Sequence, residues 1–263
     1  LSEGKIEEEP LRQDWAQKFI GGAGLATRYL YDEVSAGADP LGPENKLIFM
    51  TGPLTGTLSA SAARYSVVAK SPLTGIWGHG NSGGSFGPAL KRSGFDGIIF
   101  EGISSKPVYL RIIDGQAELC DAGELWGKTV PQAEDSIQQD SDQKLTIASI
   151  GPGGENGVRF ANIIVDCRHA FGRCGLGAVM GSKNRKAIVA SGRGRPKIEN
   201  PDRYKQTVKR LADGYRDSLA IEMFGEWGTA RHVDGLNAKG IYPTRNFQAG
   251  HFEHFQEINA EAL

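Results

Sequence analysis

Glycine occurs at short intervals along much of this chain and so limits how long its secondary-structure elements can be. The sequence holds 36 glycines among 263 residues, about twice the usual share. They alternate with short apolar runs such as 47–50, 65–69 and 145–150, which have the length and composition of buried strands. Long helices do not separate these runs regularly between residues 45 and 190, so the pattern predicts an α+β fold rather than a doubly wound α/β fold.

Helices are predicted near both ends of the chain. Residues 14–31 fit a helix interrupted by glycines, and residues 201–219 fit a helix with one apolar face. Asp114-Gly115 between two strand-like runs predicts a hairpin, whereas residues 75–97, with eight glycines, are expected to form mainly a loop. A change of composition near 191–196 predicts a domain boundary. We therefore expect a β-rich domain over 1–195 and the start of a helical domain over 196–263.

Composition argues against several functional classes. The net charge of -1, from 30 cations and 31 acids, gives no overall attraction to nucleic acid or to an anionic membrane. No apolar run reaches the roughly 18 residues of a membrane span. Three cysteines argue against a disulfide framework and favour a reducing, cytoplasmic location. Since the chain begins with Leu1 and not Met, we interpret it as a piece of a longer protein.

One segment, His169 to Lys183, is suited to an anion. It holds four glycines and two cations, Arg173 and Lys183, and contains no acid. Glycine lets backbone N–H groups approach a ligand closely, and the cations can donate charge-assisted hydrogen bonds. The spacing is not that of a nucleotide P-loop, because Ser182 separates Gly181 from the lysine. The segment predicts a phosphate-bearing ligand other than ATP.

A run of cations follows that segment. Six cations and no acid occur between residues 183 and 197, and a solvated surface is the simplest interpretation. RNA binding is the alternative, although no aromatic residue interleaves with these charges.

Two further residues are candidates for a ligand site. Arg64 follows small residues and is either an ordinary surface arginine or an anion contact. Asn81, within the glycine-rich stretch, either forms a turn or offers oxygen to a hard cation such as magnesium. No Gly-x-Ser-x-Gly elbow is paired with a histidine and an acid, so we expect the chain to hold a cofactor rather than to supply catalytic residues itself.

Seven segments, taken together and in order, resemble the N-terminal part of the tungsten-dependent aldehyde:ferredoxin oxidoreductases. The resemblance covers nearly the whole chain, which makes it specific although each motif is short. The segments are 43–49, 51–57, 63–65, 70–75, 81–84, 175–183 and 240–250.

The resemblance implies a two-lobed, β-rich domain with pseudo-twofold symmetry, in keeping with the repeated Pro-Leu-Thr-Gly at 53–56 and 72–75. It implies a cofactor of two pterin dithiolenes that share one tungsten, with magnesium bridging the pterin phosphates. Main-chain carbonyls of Asn81 and Ala170 are expected to approach the magnesium. The expected cofactor contacts are Arg64, Asn81, Ser82, Gly83, Arg168, His169, Ala170, Gly172, Arg173 and Gly175.

The sequence departs from the family pattern at one of these positions and at the neighbouring Cys174. His169 stands where the family has an arginine, and Arg168 precedes it, so the phosphate contact is assigned to either residue. Cys174 stands where glycine is usual, and a side chain there is expected to face away from the cofactor.

For the intact protein, the resemblance implies oxidation of an aldehyde to a carboxylic acid, with ferredoxin as electron acceptor and an anaerobic host. A four-iron four-sulfur cluster is expected in a later part of the protein, because residues 1–263 lack its cysteine motif. This chain alone is therefore expected to be inactive. The resemblance does not decide whether the metal is tungsten or molybdenum. It also does not decide whether the protein forms a homo-oligomer or a multi-subunit complex.

Two alternatives to aldehyde oxidation are kept. A related subunit would act on another substrate, such as an aromatic acyl-CoA. A non-catalytic scaffold would bind a phosphate-rich ligand without redox chemistry.

Overall fold

A computed structural model of the chain describes residues 4–262. It contains two compact units, 1–197 and 198–263. The first unit holds two β-sheets with surrounding helices, and the predicted α+β class is confirmed. The assignment of a cofactor domain and a second, helical domain stays a prediction.

The ten strands found among residues 4–262 all belong to the first unit. They are β1 Leu47–Thr51, β2 Tyr65–Lys70, β3 Trp77–Ser82, β4 Gly97–Phe100, β5 Val108–Ile113, β6 Gln116–Asp121, β7 Thr146–Ser149, β8 Ile163–Val165, β9 His169–Phe171 and β10 Arg185–Ser191. The helices of this unit are α1 Gln13–Phe19, α2 Gly22–Glu33, α3 Phe86–Arg92, α4 Val130–Gln139, α5 Pro152–Glu155 and α6 Leu176–Ser182, with a 3-10 turn at Gly123–Leu125.

The first sheet is antiparallel, in the order β3-β2-β1-β4. Its central strands are buried on both faces, which is why they are apolar without alternation. One face, including Ile48 and Val68, packs against α1 and α2. The other face, including Phe49 and Val67, belongs to the main core.

The second sheet has the order β6-β5-β10-β7-β8-β9. Its β10–β5 pair is parallel, and the remaining neighbours are antiparallel. The predicted hairpin is confirmed: β5 and β6 are joined by Asp114 and Gly115, whose φ angles of 45° and 87° are those of a type I′ turn.

Aromatic side chains join the two sheets in one core. The ring of Phe171 in β9 lies 6.2 Å from that of Phe49 and 5.1 Å from that of Tyr65. Tyr65 in turn stacks on Phe86 of α3 at 5.3 Å. This core fixes β9 of the second sheet beside the first sheet.

Two expectations about local structure were wrong. The glycine-rich stretch 75–97 contains β3 and α3 instead of forming mainly a loop. The expectation of a solvated cationic run is wrong for its first half, because Lys183, Arg185 and Lys186 are fully buried, whereas Arg193, Arg195 and Lys197 are exposed. The sheets differ in strand number, and the pseudo-twofold duplication stays a prediction.

The second unit is helical over the residues described. It contains α7 Pro201–Arg216, α8 Leu219–Trp227 and α9 Val233–Ala238, with 3-10 turns at Gly228–His232, Phe255–Glu257 and Ala260–Ala262. The Asn200 side chain caps α7 by accepting a hydrogen bond from the Arg203 N–H at 3.0 Å. Within residues 4–262, no helix is both long and apolar enough to cross a membrane.

Candidate cofactor site

Two edge strands, one from each sheet, meet at the candidate site. A Cβ built on Gly80 in β3 would lie 2.9 Å from Phe171 Cδ1. A Cβ built on Gly84, just after β3, would lie 2.5 Å from His169 Cδ2. This contact brings residues 81–84 beside β9, although they are far apart in the sequence.

Arg64 is placed by the first Pro-Leu-Thr-Gly turn. The Thr55 hydroxyl donates to the Arg64 carbonyl at 2.9 Å and accepts from the Gly52 N–H at 2.9 Å. The exposed guanidinium donates through Nη1 to Asn81 Oδ1 at 2.6 Å, a bond that uses one of its five donors. A cavity of about 240 Å³ lies beside Arg64 and is lined by residues 52–55 and 60–62.

The Asn81 side chain is oriented toward its own sheet. Its Nδ2 lies 3.3 Å from the Tyr65 carbonyl and 3.5 Å from Ser66 Oγ, while Oδ1 accepts from Arg64. Asn81 belongs to β3, and Ala170 belongs to β9, both at sheet edges. An edge strand presents unpaired main-chain groups along its outer side, so these two strands are candidates to hold a cation through main-chain carbonyls.

The loop after β3 leaves space for a close ligand. No heavy atom lies within 4 Å of a Cβ built on Gly83. Gly84 has a φ of 83° and borders the His169 ring, so a side chain there is excluded by both conformation and space. Ser82 is buried, and its hydroxyl lies 3.5 Å from the Gly83 carbonyl oxygen.

Arg168 and His169 follow the β8–β9 turn. Asp166 and Cys167 have φ angles of 48° and 52°, and the Arg168 N–H donates to the Val165 carbonyl at 3.0 Å. The side chains of Arg168 and His169 are both exposed, and the His169 ring lies against Gly84. The structure therefore places His169 directly at the loop after β3.

Asp166 fixes this turn to both sheets. Its Oδ1 accepts from the Ile147 N–H of β7 at 2.9 Å, and its Oδ2 accepts from the Ser85 hydroxyl. One carboxylate thus connects the β8–β9 turn to β7 and to the loop after β3.

The next loop carries Gly172 and Arg173, which are exposed beside β9. Cys174 follows with a left-handed φ of 67°. Its carbonyl accepts from the Ser71 hydroxyl at 2.8 Å, and its Cβ lies 3.0 Å from a Cβ built on Gly78. The Cys174 side chain therefore packs on β3, and Ser71, which precedes the second Pro-Leu-Thr-Gly, fixes this loop.

Most glycines of the segment 169–183 serve packing and not ligand approach. Cβ atoms built on Gly175, Gly177 and Gly181 would lie 1.9, 2.4 and 2.0 Å from main-chain oxygens of Arg159, Asn162 and Gly154, respectively. Gly172 is the exposed glycine of the four.

Lys183 is not an anion contact in this structure, contrary to expectation. Its Nζ donates to the carbonyls of Asn45 and Gly102 at 2.6 and 3.1 Å. Burial lowers the Lys183 pKa to about 8. The lysine therefore holds main-chain loops together inside the fold.

A polar and aromatic row on β3 was not anticipated from the sequence. Trp77 stacks on His79 at 5.4 Å and donates through Nε1 to Thr27 Oγ1 at 2.9 Å. His79 Nε2 lies 3.2 Å from Ser66 Oγ, and burial lowers the His79 pKa. Alternation along β3 puts Trp77 and His79 on the same strand face as Asn81.

Metal-ligating side chains do not cluster in this part of the protein. Among residues 4–262, no group of three or more His, Cys, Asp and Glu side chains is arranged to hold a metal ion.

Comparison with known families identifies the family of this chain. Residues 1–192 match the family described as aldehyde ferredoxin oxidoreductase, N-terminal domain. The chain belongs to this family. The predicted resemblance is confirmed, and the candidate site lies within the matched residues.

Characterised members of the family match the chain along its whole length. The tungsten-containing aldehyde ferredoxin oxidoreductase of Thermococcus kodakarensis is 47% identical over 100% of this chain and 44% of its own length. That of Pyrococcus abyssi is 44% identical with the same coverage. The chain therefore spans less than half the length of these relatives.

Other relatives have different named activities. The WOR-like subunit of an aliphatic sulfonate oxidoreductase from Pyrococcus furiosus is 37% identical over 98% of this chain and 43% of its own length. A solved structure of the active site complex BamBC of benzoyl coenzyme A reductase, with 1,5-dienoyl-CoA, matches at a TM-score of 0.79 and 31% identity. That match covers 92% of this chain and 34% of the solved chain. The family is thus one of oxidoreductases with several substrates.

Proposed function

We propose that Arg64, residues 81–83 and residues 168–173 form one wall of a site for a tungsten bis-pterin cofactor. The observation that carries this proposal is the meeting of β3 and β9, which assembles the wall from two distant parts of the sequence. The surface fits such a group: it combines exposed cations, clearance at Gly83 and main-chain groups of two sheet edges.

Different residues would hold different parts of this cofactor. Arg64 and Arg173 would donate to the pterin phosphates, with Arg168 or His169 as a further donor. The main-chain carbonyls of Asn81 and Ala170 would hold a bridging magnesium, which prefers oxygen ligands.

The remaining contacts concern space and orientation. Gly83 and Gly172 would admit the cofactor close to the main chain, while Gly175 and the buried Ser82 shape the loops behind it. When bound, the metal supplies the two-electron redox chemistry, and the protein supplies position and electrostatics.

For the full-length protein, we propose oxidation of an aldehyde to a carboxylic acid with ferredoxin as acceptor. The names and 47% and 44% identities of the relatives support this assignment. A four-iron four-sulfur cluster and the substrate pocket would lie in parts of the protein beyond residues 1–263, so this chain alone would be inactive. A cytoplasmic location and an oligomeric or multi-subunit assembly belong to the same proposal.

Reduction or oxidation of an aromatic acyl-CoA is the second candidate. The TM-score of 0.79 to a subunit complex of benzoyl coenzyme A reductase favours it. An activity panel of aldehydes, sulfonates and aryl-CoA thioesters, assayed with the full-length protein, separates these substrates.

Cofactor content tests the proposal directly. Full-length protein from anaerobic cells grown with tungstate should contain tungsten or molybdenum together with pterin-bound phosphate. Full activity in metal-free and pterin-free protein would disprove the proposal.

Substitution of Gly83 by valine tests whether this residue borders the cofactor. Gly83→Val would project into open space, so we expect folding to be retained while cofactor content falls at least about tenfold, as for loss of 1.4 kcal/mol or more of binding. Gly37→Val is the matched control, because a Cβ at this exposed loop glycine also meets nothing within 4 Å. Equal cofactor content in both variants would exclude Gly83 from the site.

A further inference from the structure

One acid of the first unit is buried although it forms no part of the cofactor wall proposed above. Glu134 lies on the buried face of α4 together with Ala133 and Ile137, and only 8% of its surface is exposed. Ile137 packs with Ile147 of β7 and Val189 of β10. Acids are rarely buried unless they are paired. What this carboxylate bonds therefore indicates its role.

Each carboxylate oxygen of Glu134 accepts a hydrogen bond from a different segment. The hydroxyl of Ser149, at the end of β7, donates to Oε1 at 3.0 Å. The thiol of Cys167, in the turn between β8 and β9, donates to Oε2 at 3.0 Å. The carboxylate therefore connects α4 both to β7 and to the β8–β9 turn.

The Cys167 thiol is a hydrogen-bond donor at neutral pH. Burial and the nearby Glu134 raise its pKa to about 12, so the thiol keeps its proton at pH 7. Burial also raises the Glu134 pKa, an effect that the bonds from Cys167 and Ser149 partly offset. Because the thiolate is the reactive form of cysteine, this geometry suits a structural contact and not nucleophilic chemistry.

The turn that contains Cys167 has a costly backbone conformation. Asp166 and Cys167 have φ angles of 48° and 52°, and consecutive left-handed residues other than glycine are unfavourable. Such a conformation persists where surrounding contacts hold it. Asp166 is held by β7, since its Oδ1 accepts from the Ile147 N–H at 2.9 Å. Cys167 is held by Glu134 of α4.

The conformation of this turn sets where the next two side chains lie. Arg168 follows directly, and its N–H donates to the Val165 carbonyl at 3.0 Å, which closes the turn. His169 comes next, with its ring against Gly84. A rotation about the φ bond of Cys167 would move both side chains together, because φ and ψ are the soft dihedrals of the main chain.

We propose that Glu134 is a positioning residue of the cofactor site: through Cys167, it holds the β8–β9 turn so that Arg168 or His169 meets a cofactor phosphate. Glu134 and Cys167 themselves would not touch the cofactor. The inference rests on the proposed cofactor and deepens it, since it adds a buried residue of α4 to the exposed residues of the wall.

The connection between α4 and β7 has a separate anchor in Gln138. This residue lies one helical turn after Glu134. Its Nε2 donates to the Gln143 carbonyl at 2.9 Å, and its Oε1 accepts from the Leu145 N–H at 3.0 Å. Gln138 is therefore a matched control, because it lies on the same helix and makes similar bonds at the start of β7 instead of at the β8–β9 turn.

Hydrogen exchange in full-length protein prepared without tungstate tests the hold on the turn. Glu134→Met removes both acceptor oxygens at a similar side-chain length. We expect the Arg168 amide to exchange at least about tenfold faster than in wild type, because the turn opens locally once its contact is lost. Gln138→Met should change this rate less than about twofold. Equal rates in the two variants would overturn the proposal.

Two substitutions of Cys167 test the bond from the donor side, and they also serve if Glu134→Met fails to fold. Cys167→Ser keeps a donor, whereas Cys167→Ala removes it. In full-length protein, Cys167→Ala should bind pterin about five- to tenfold more weakly, as for loss of one hydrogen bond. Cys167→Ser should stay within about twofold of wild type. Equal weakening by both substitutions would count against the hydrogen bond and overturn the proposal.

A double variant separates positioning from general loss of stability. Glu134→Met and Cys167→Ala break the same contact, so the double variant should bind pterin no more weakly than the weaker of the two single variants. Losses that multiply would show that the two residues act separately, contrary to the proposal.

Pterin content also distinguishes failure of this inference from failure of the proposed cofactor. Wild-type full-length protein without pterin would disprove the cofactor, and this inference with it. Wild-type protein that contains pterin, with as much pterin in Glu134→Met and Cys167→Ala, would disprove the role of Glu134 alone.

Discussion

At the residue scale, cations that are alike in the sequence have opposite environments in the structure. Arg64 and Arg173 are exposed beside the meeting of two strands, whereas Lys183 and Lys186 are fully buried. Lys186 is paired with the nearly buried Glu155, and Lys183 binds main-chain carbonyls. Charge alone therefore does not show which cations are available to an anion, because burial and internal hydrogen bonds occupy Lys183 and Lys186.

The choice between Arg168 and His169 can be settled by two substitutions. His169 lies against Gly84, so we expect His169→Ala to weaken cofactor binding about five- to tenfold, as for loss of one hydrogen bond. Arg168→Ala, a change of the exposed residue next to it, should weaken binding less. Measurement of bound pterin in the two full-length variants decides, and the reverse order would assign the contact to Arg168.

The buried Lys183 predicts a dependence of stability on pH. Its pKa is lowered to about 8 by burial from a usual 10.5, so between these values the unfolded state binds more protons than the folded state. The free energy of unfolding should therefore rise with pH across this window, by at most about 1.4 kcal/mol per pH unit, whereas the full penalty of the buried charge is present below pH 8.

A variant that lacks the lysine isolates this effect. In Lys183→Met, the contribution of the lysine to the pH dependence disappears, and the difference between wild-type and variant unfolding curves should slope from pH 8 to pH 10.5. A flat difference across that range would show that folding does not change the pKa of Lys183.

The sequence pointed to part of the candidate site, since the matched motifs contain Arg64, Asn81 and Gly83. It did not indicate the hydroxyls of Thr55 and Ser71, which fix the two loops. Serine and threonine make such bonds in many turns, and which carbonyl they reach depends on tertiary structure. The repeated Pro-Leu-Thr-Gly was the sequence feature that could have indicated these two loops.

At the element scale, α6 shows why glycine-rich segments are ambiguous. Gly177 and Gly181 let this helix contact main-chain oxygens of residues 162 and 154, although the same residues in sequence suggest a ligand loop. Gly78 and Gly80 in β3 have a similar role beneath Cys174 and Phe171. The sequence predicted β1, β2 and the β5–β6 hairpin but missed β3, because these packing glycines resemble turn residues.

A pair of alanine substitutions measures this packing. Gly181→Ala puts a Cβ 2.0 Å from the Gly154 carbonyl oxygen, and we expect it to lower the free energy of unfolding by about 3 kcal/mol. Gly153→Ala lies in the adjoining α5, where a Cβ meets nothing within 4 Å, and should change stability by less than about 0.5 kcal/mol. Urea denaturation of both variants gives the comparison, and similar losses would contradict the packing argument.

At the scale of the whole molecule, the candidate site is a junction of two sheets and not a pocket within one. Asp166 links β7 and Ser85 across this junction, and Phe171 joins the core of both sheets. Such a junction is not visible in local sequence patterns, because the order of strands in a sheet is set by long-range pairing.

Removal of the cofactor should loosen the junction selectively. Protein prepared without tungstate should exchange amide hydrogens faster at 81–85 and 168–175 than loaded protein, since a ligand stabilises the state that binds it. The β5–β6 hairpin should exchange equally in both forms. Uniform loosening across the first unit, or none at the junction, would contradict the placement of the cofactor.

The position of the site at two sheet edges has a consequence for the life of the protein in the cell. β3 and β9 both end their sheets, and exposed edges invite pairing with other chains. The proposed cofactor, seated there, would cover both edges at once. Protein made without it would then be more prone to aggregation, and insertion of the cofactor would act as quality control as well as activation.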